Sequence, residues 1–224
     1  MSLRAAIPLY QQRGLVLITA PASEPVTAEE LRLHVRASGS EFPDAAAIVT
    51  EARSEIENRT GVAFITQSWK LALDRWPAGG EQWWDGVREG SITELYGSNT
   101  LRSVDVPRWP LQSITSVTVY GESGTPSTVT LANVFDVDTY RVPGRMTLKR
   151  GAAWPVALRG SNAIEVVFAA GYTSAANVPA YMKRAIKQLA AYNYAHRGDD
   201  CDPADAFHAS GAETIMRQYM PLGV

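Results

Sequence analysis

The sequence contains few of the residues on which enzymes and metal proteins most often depend. It has one cysteine, Cys201, and three histidines. A single thiol excludes an intrachain disulfide and a cysteine-based zinc site, and it fits a reducing compartment. The net charge is −2, so no bulk positive field indicates nucleic-acid binding. No apolar run approaches the roughly 18 residues that a membrane span needs, so we predict no membrane segment.

Helix signals occur near both ends of the chain. Thr27 and Glu30 form a capping box, which predicts a helix over 27–37. Apolar residues at three- and four-residue spacing predict helices over 43–60 and 178–197. We expect the three helices to pack together and to bury Leu31, Val35, Ile48, Val49, Ala52, Ile56, Met182, Ile186 and Leu189. The charged residues of the second helix are expected on its solvated face: Glu51, Arg53, Glu55, Glu57 and Arg59.

Between the second and third helices the apolar period changes from 3.6 to 2. Closely spaced strand signals, separated by glycine and proline, occur at 64–76, 92–96, 101–106, 113–120, 128–131, 135–140, 145–149 and 163–170. Such spacing is typical of antiparallel hairpins rather than helix-crossover units. The predicted fold class is therefore α+β: a small helical core, made of two N-terminal helices and a long C-terminal helix, with an inserted, mostly antiparallel β-sheet region at 62–172.

The ends of the chain are predicted to lie outside this core. Residues 1–26 read as an N-terminal arm and linker, 27–198 as the main domain, and 199–224 as a tail. A last helix is predicted over 204–219, with Gly211 as a weak point. We expect the core to be complete without this tail.

Three features resemble reactive sites but have simpler structural interpretations. The segment 121–125 lacks the final glycine of a nucleophile elbow, and a hairpin turn explains it better. Cys201 and His208 lie seven residues apart in a polar segment, and spacing alone is weak support for a catalytic pair. An acidic turn lacks the ligand order of an EF-hand: Asp199, Asp200, Asp202 and Asp205. We assign no catalytic, cofactor or metal-binding residue.

The tryptophans suggest an interaction surface. Trp69 and Trp76 fall in a predicted strand and are expected in the core, whereas Trp83 and Trp84 lie in a glycine-flanked loop. An exposed aromatic pair most often marks a protein interface, and a sugar-stacking platform is the alternative. The residues alone therefore indicate a binding or assembly protein. The rivals are a carbohydrate- or receptor-binding module and a small hydrolase that uses Cys201 and His208.

The ordered set of segments resembles one known family, the head–tail connector (adaptor) proteins of tailed bacteriophages and prophages. The resemblance runs from about residue 15 to 198 and depends on the order and the intervals of its motifs, each of which is weak alone. The matching segments are 17–21, 24–31, 34–36, 56–61, 66–69, 107–117, 151–155, 168–172 and 178–179.

The resemblance implies a structural protein of the virion neck, without catalysis or a cofactor, made in the bacterial host cytoplasm. Such proteins form a homo-oligomeric ring on the portal protein, on which a downstream neck or tail-completion protein assembles. DNA passes through the channel without sequence-specific binding. In relatives the C-terminal segment reaches the portal. By position, this implies portal contacts for Met216, Arg217, Tyr219 and Met220.

Overall fold

The structure is a computed structural model, and it describes residues 14–38, 41–76, 103–196 and 203–219. The fold is mixed α/β, with an antiparallel sheet and several helices, which confirms the predicted fold class. The chain divides into two compact units. The helical unit contains the described residues of Thr19–Gln67 and Ala170–Val224, and the sheet unit contains those of Leu9–Ile18 and Ser68–Ala169.

The first helix of the helical unit, α1 (Ala28–Val35), begins at the predicted capping box. The Thr27 hydroxyl accepts a hydrogen bond from the Glu30 N–H (3.1 Å), and the Glu30 carboxylate accepts one from the Thr27 N–H (2.8 Å). The helix ends earlier than predicted because Arg36 takes the left-handed conformation, with φ of 58°. Val35, at this early end, is only half-buried, so its predicted place in the core is wrong.

Two 16-residue helices form the centre of the helical unit: α2 (Ala45–Thr60) and α4 (Ala180–Ala195). Gly61 ends α2 with φ of 77°, as the sequence predicts. The start of α4 falls after Pro179, because a residue before proline disfavours the helical conformation and Val178 is extended. The helices α1, α2 and α4 pack on one another and bury the predicted apolar residues other than Val35.

The C-terminal segment belongs to the same core, contrary to our expectation. It forms two short helices, α5 (Pro203–Ala209) and α6 (Ala212–Met216), followed by a 3-10 turn at Arg217–Tyr219. The break between them falls at Gly211, whose φ is 77°. Both helices pack on α4, and Phe207, Ala212 and Met216 are fully buried. A short helix interrupted by glycine shows little apolar periodicity in the sequence. Its apolar side chains can nevertheless be buried when it packs on a neighbouring helix.

The sheet unit contains two sheets. One has five strands in the order β1 (Gly14–Thr19), β2 (Gln67–Leu73), β8 (Ile164–Ala170), β4 (Leu111–Tyr120) and β5 (Pro126–Val129). The other has three antiparallel strands in the order β3 (Ser103–Asp105), β7 (Arg145–Leu148) and β6 (Phe135–Asp138). A single helical turn, α3 (Leu131–Val134), precedes β6. Side chains of β2 and β8 alternate between buried and partly exposed, as the two-residue period predicts.

The remaining predictions for this region have mixed outcomes. The segment 121–125 is the turn of the β4–β5 hairpin, in which the Gly121 N–H donates to the Thr125 carbonyl at 3.0 Å, so the hairpin interpretation is confirmed. The predicted strand at 92–96 lies outside the described residues. Within the described ranges, none of the helices has the length and apolarity that a membrane span requires.

Candidate interaction surfaces

The residues that most resemble a catalytic pair do not form one in the described part of the chain. His208 is exposed, and its Nδ1 lies 2.8 Å from a carboxylate oxygen of Glu213. Cys201, Asp199, Asp200 and Asp202 lie outside the described residues. No group of three or more potential metal ligands occurs among the residues that the structure describes.

The described tryptophans are held within the sheet unit. Trp69 and Trp109 are buried, as we predicted for Trp69. Trp76 follows β2 and is half-buried; it stacks on Trp154 with ring centroids 4.7 Å apart. The Trp76 indole N–H donates to the Pro155 carbonyl at 2.7 Å. These four rings thus serve packing, and the predicted exposed pair, Trp83 and Trp84, lies outside the described residues.

A buried polar network in the helical unit was missed by the sequence analysis. Arg53, predicted on the solvated face of α2, is 7% exposed, and Glu57, one turn further on, is 5% exposed. The Arg53 guanidinium pairs with Glu57 (2.5 Å) and with Glu24 of the linker before α1 (2.7 Å). The other Glu57 oxygen accepts hydrogen bonds from the Phe64 N–H (2.9 Å) and the Gln67 side chain (2.8 Å).

This network fixes the positions of three separate segments of the chain. Paired charges can be buried when further hydrogen bonds satisfy their remaining polar atoms, which is the case for Glu57. The i,i+4 spacing of Arg53 and Glu57, next to the apolar positions Ala52 and Ile56, was the available signal. It does not by itself distinguish a buried pair from an exposed one.

The residues predicted to contact the portal have different environments. Met216 is fully buried in the helical unit, so its role in this structure is packing. Arg217 is exposed and Tyr219 is half-buried, while Met220 lies outside the described residues. The Tyr219 ring stacks on that of Tyr181 at the start of α4, with centroids 6.4 Å apart, and the two hydroxyls share a hydrogen bond of 2.5 Å.

The tyrosine pair holds the end of the C-terminal segment against α4. The pKa of Tyr181 lies far above its usual value. Desolvation is the largest cause, the hydrogen bond with Tyr219 is the second, and the charge of an ionised Tyr219 is the third. The neutral form of Tyr181 is therefore the one that the fold favours. The pair presents Arg217, two residues before Tyr219, at the surface of the helical unit.

The sheet unit presents a second exposed feature, the loop between β6 and β7. Tyr140 is 99% exposed, and Val142 nearby is 53% exposed. Asp138 shapes the loop by accepting hydrogen bonds from the N–H groups of Tyr140 (3.2 Å) and Arg141 (3.3 Å), and it also pairs with Arg145 (3.2 Å). Desolvation raises the pKa of Asp138, but these hydrogen bonds outweigh it, so its pKa lies below the usual value. A fully exposed aromatic ring on an ordered loop is suited to a protein contact.

Comparison with known proteins gives likeness in structure only. No protein-family model matches the chain, and no curated protein matches it. Among solved structures, a chain from the neck of an empty GTA particle with C6 symmetry has a TM-score of 0.70 and 22% identity, and the match covers 94% of this chain and 96% of that one. A chain from the virion of a native gene transfer agent (GTA) particle has a TM-score of 0.69 and 21% identity, with 94% and 97% covered.

A third similar chain comes from the neck of a native GTA particle with C12 symmetry. Its TM-score is 0.60 at 21% identity, and the match covers 93% of this chain and 97% of that one. At such identities the likeness is one of fold. It extends over nearly the whole of each chain, so the order of helices and strands as a whole is shared.

Proposed function

We propose that this chain is a structural neck protein of a phage-like particle, a head–tail connector that forms a ring on the portal protein. The observation that carries the proposal is the end-to-end likeness in fold to a chain from the neck of a GTA particle. The C12 symmetry of another such neck supports a ring of about twelve copies, since head-to-tail contacts between unlike surfaces close into a ring. A later neck or tail-completion protein then assembles on this ring.

The proposed role involves no catalysis and no cofactor. The chain would act in the virion neck after synthesis in the host cytoplasm. Its net charge of −2 suits a channel through which DNA passes without sequence-specific binding, because a strongly basic wall would hold the phosphates. The alternative, a carbohydrate- or receptor-binding module, is not favoured by the structures to which the chain is similar.

The portal contact is proposed for the end of the C-terminal segment: Arg217, which is exposed, Tyr219, which is half-buried, and Met220, which lies outside the described residues. Phe207, Ala212 and Met216 are buried and support this end from inside the helical unit. A deletion starting at residue 204 would therefore damage the core and would not separate docking from folding. A shorter perturbation is needed: a stop after Tyr219, combined with Arg217→Ala.

The test mixes full-length chain with purified portal rings of the same particle and measures co-sedimentation and ring formation by electron microscopy. We expect the wild type to form a ring on the portal. The shortened Arg217→Ala variant should bind the portal at least about tenfold more weakly, because tenfold corresponds to about 1.4 kcal/mol and an arginine hot spot contributes about 2 kcal/mol or more. Its thermal melt should be unchanged. Thr214→Ala, an exposed position in α6, is the matched control.

Two results would count against the proposal. If the wild type neither binds the portal nor occurs in the neck of particles analysed by antibody labelling, the connector function is wrong. If the wild type binds and the shortened variant binds equally well, the ring proposal stands, but the C-terminal end is not the portal contact.

A further inference from the structure

The helix α4 carries a set of positive charges that form no ion pair with the residues that the structure describes. Lys183, Arg184 and Lys187 are its only charged residues, and all are positive. Arg184 is exposed and the two lysines are half-exposed. None of the three forms an ion pair with any acidic group that the structure describes. We call these three residues the cationic face.

The cationic face lies in the N-terminal half of α4 and gains no stabilisation from the helix dipole. The positive end of a helix dipole lies at its N-terminus, where acidic residues stabilise and basic residues destabilise. The first turn of α4 contains no acidic residue, and Lys183 and Arg184 follow it directly. The helix dipole therefore contributes nothing to the stability of these charges, whereas an acidic partner would stabilise them.

A complementary surface exists on α2 of the same unit. Asp44 and Glu51 lie seven residues apart, hence two turns apart on one side of the helix. Both are exposed, and neither pairs with a cation among the described residues. Asp44 precedes α2 without making a side-chain capping bond. Between them on the same side of the helix lies a small exposed residue, Ala47, which lets another helix approach closely. We call Asp44 and Glu51 the acidic face.

We propose that the cationic face of one copy docks on the acidic face of the next copy in the ring. This inference rests on the proposed connector function, and it identifies the surfaces that join neighbouring copies. The two faces belong to one helical unit and form no ion pair with each other, and no other described residue pairs with either of them. A contact between two unlike surfaces is heterologous, which is the type that closes into a ring.

The charge pattern favours a second copy over DNA as the occupant. A nucleic-acid surface usually draws on a strongly basic domain, whereas this chain has a net charge of −2 and three cations on this face. Opposite charges on two faces of the same unit also orient each copy head-to-tail and oppose a head-to-head contact.

The test uses two full-length charge-reversed variants. The cation-reversed variant is Lys183→Glu/Arg184→Glu/Lys187→Glu, and the acid-reversed variant is Asp44→Lys/Glu51→Lys. Ring assembly is measured by native mass spectrometry with portal rings present, and folding by circular-dichroism melts. The matched control, Arg36→Glu/Arg75→Glu/Arg150→Glu, changes the net charge by the same amount as the cation-reversed variant, at exposed arginines elsewhere.

Each variant alone should assemble at least about tenfold less readily than the wild type, because like charges then meet at every junction. An equimolar mixture should restore assembly, since every junction in an alternating ring again pairs opposite charges. Such rings should contain equal numbers of the two variants, and therefore an even number of copies. The control variant should assemble like the wild type.

The other outcomes overturn the inference and remain distinguishable from failure of the proposed function. If both variants assemble normally, the ring is joined through other surfaces and the connector function stands. If both variants are folded but fail to assemble, and their equimolar mixture also fails to form rings, the cationic face has a different partner. If the cation-reversed variant no longer retains duplex DNA and the acid-reversed variant still does, that partner is DNA. If the wild type itself forms no ring with the portal, the connector function is what fails.

Discussion

Replacing Arg53 with methionine tests whether the buried network stabilises the helical unit. The methionine keeps most of the aliphatic volume but leaves Glu57, which is 5% exposed, without its cationic partner. Breaking a buried ion pair by removing one partner costs about 3–5 kcal/mol. Glu57 keeps its hydrogen bonds from Phe64 and Gln67, and Glu24 can turn toward water, so we expect the lower end, about 3 kcal/mol.

The same helix supplies a matched control. Arg59 and Glu55 also form an i,i+4 pair, at 2.8 Å, but their side chains are 34% and 25% exposed. Arg59 also lies over the Phe207 ring, 5.1 Å from its centroid. Arg59→Met should therefore destabilise by only about 1 kcal/mol, because the pair is partly exposed and the cation–π contact is weak.

Urea unfolding followed by circular dichroism, at low and high salt, measures both variants. The loss in Arg53→Met should be nearly independent of salt, because the pair is shielded from solvent ions. Adding Glu57→Gln to Arg53→Met should recover part of the stability, since no buried charge is then left unpaired. Equal losses for Arg53→Met and Arg59→Met would refute the view that burial decides the contribution of each pair.

Three further predictions concern the C-terminal segment and the backbone. Phe207→Ala should lower the unfolding free energy by about 3–5 kcal/mol, because the ring is fully buried, and a calorimetric melt no lower than that of the wild type would contradict this. Tyr219→Phe removes a hydrogen bond that raises the pKa of Tyr181, so tyrosinate absorbance should show that pKa falling toward its usual value. Because the pKa of Tyr181 is raised in the folded state, the stability that it contributes is present below pH about 10 and is lost as the pH rises further. Gly171→Ala should lower the unfolding free energy by more than about 1–3 kcal/mol, because φ is 120° and the new Cβ would collide with the main-chain carbonyl of Ile65. The control Gly124→Ala, where φ is 79° and the Cβ would meet open space, should lower it by only about 1 kcal/mol in the same urea assay.

Local chemistry in the sequence determined where several elements begin and end. The capping box at Thr27 sets the start of α1, and Gly61 ends α2, because each feature satisfies backbone groups within a few residues of itself. The turn at 121–125 and the two-residue period of β2 and β8 are local in the same sense. These signals also placed a sheet region between helices, which is sufficient for the fold class.

The proposed portal residues were located from their position in the chain, and their role stays a prediction. The sequence placed Arg217 and Tyr219 in a terminal segment, and the structure leaves Arg217 exposed there. It did not reveal that Met216, one residue earlier, is buried against the rest of the helical unit. A helix of five residues has too few positions for its apolar side to be recognised without knowledge of its neighbours.

Only the tertiary structure decided which charges are buried and which remain free. Arg53 and Arg59 have equivalent i,i+4 partners in the sequence, yet Arg53 is enclosed by Glu24, which is 29 residues away. In the same way, the sequence does not show whether the cations of α4 are paired. Only the structure shows that they have no acidic partner among the described residues. Burial and pairing depend on which distant segments pack together, and the helix and strand periods of a single sequence do not contain that information.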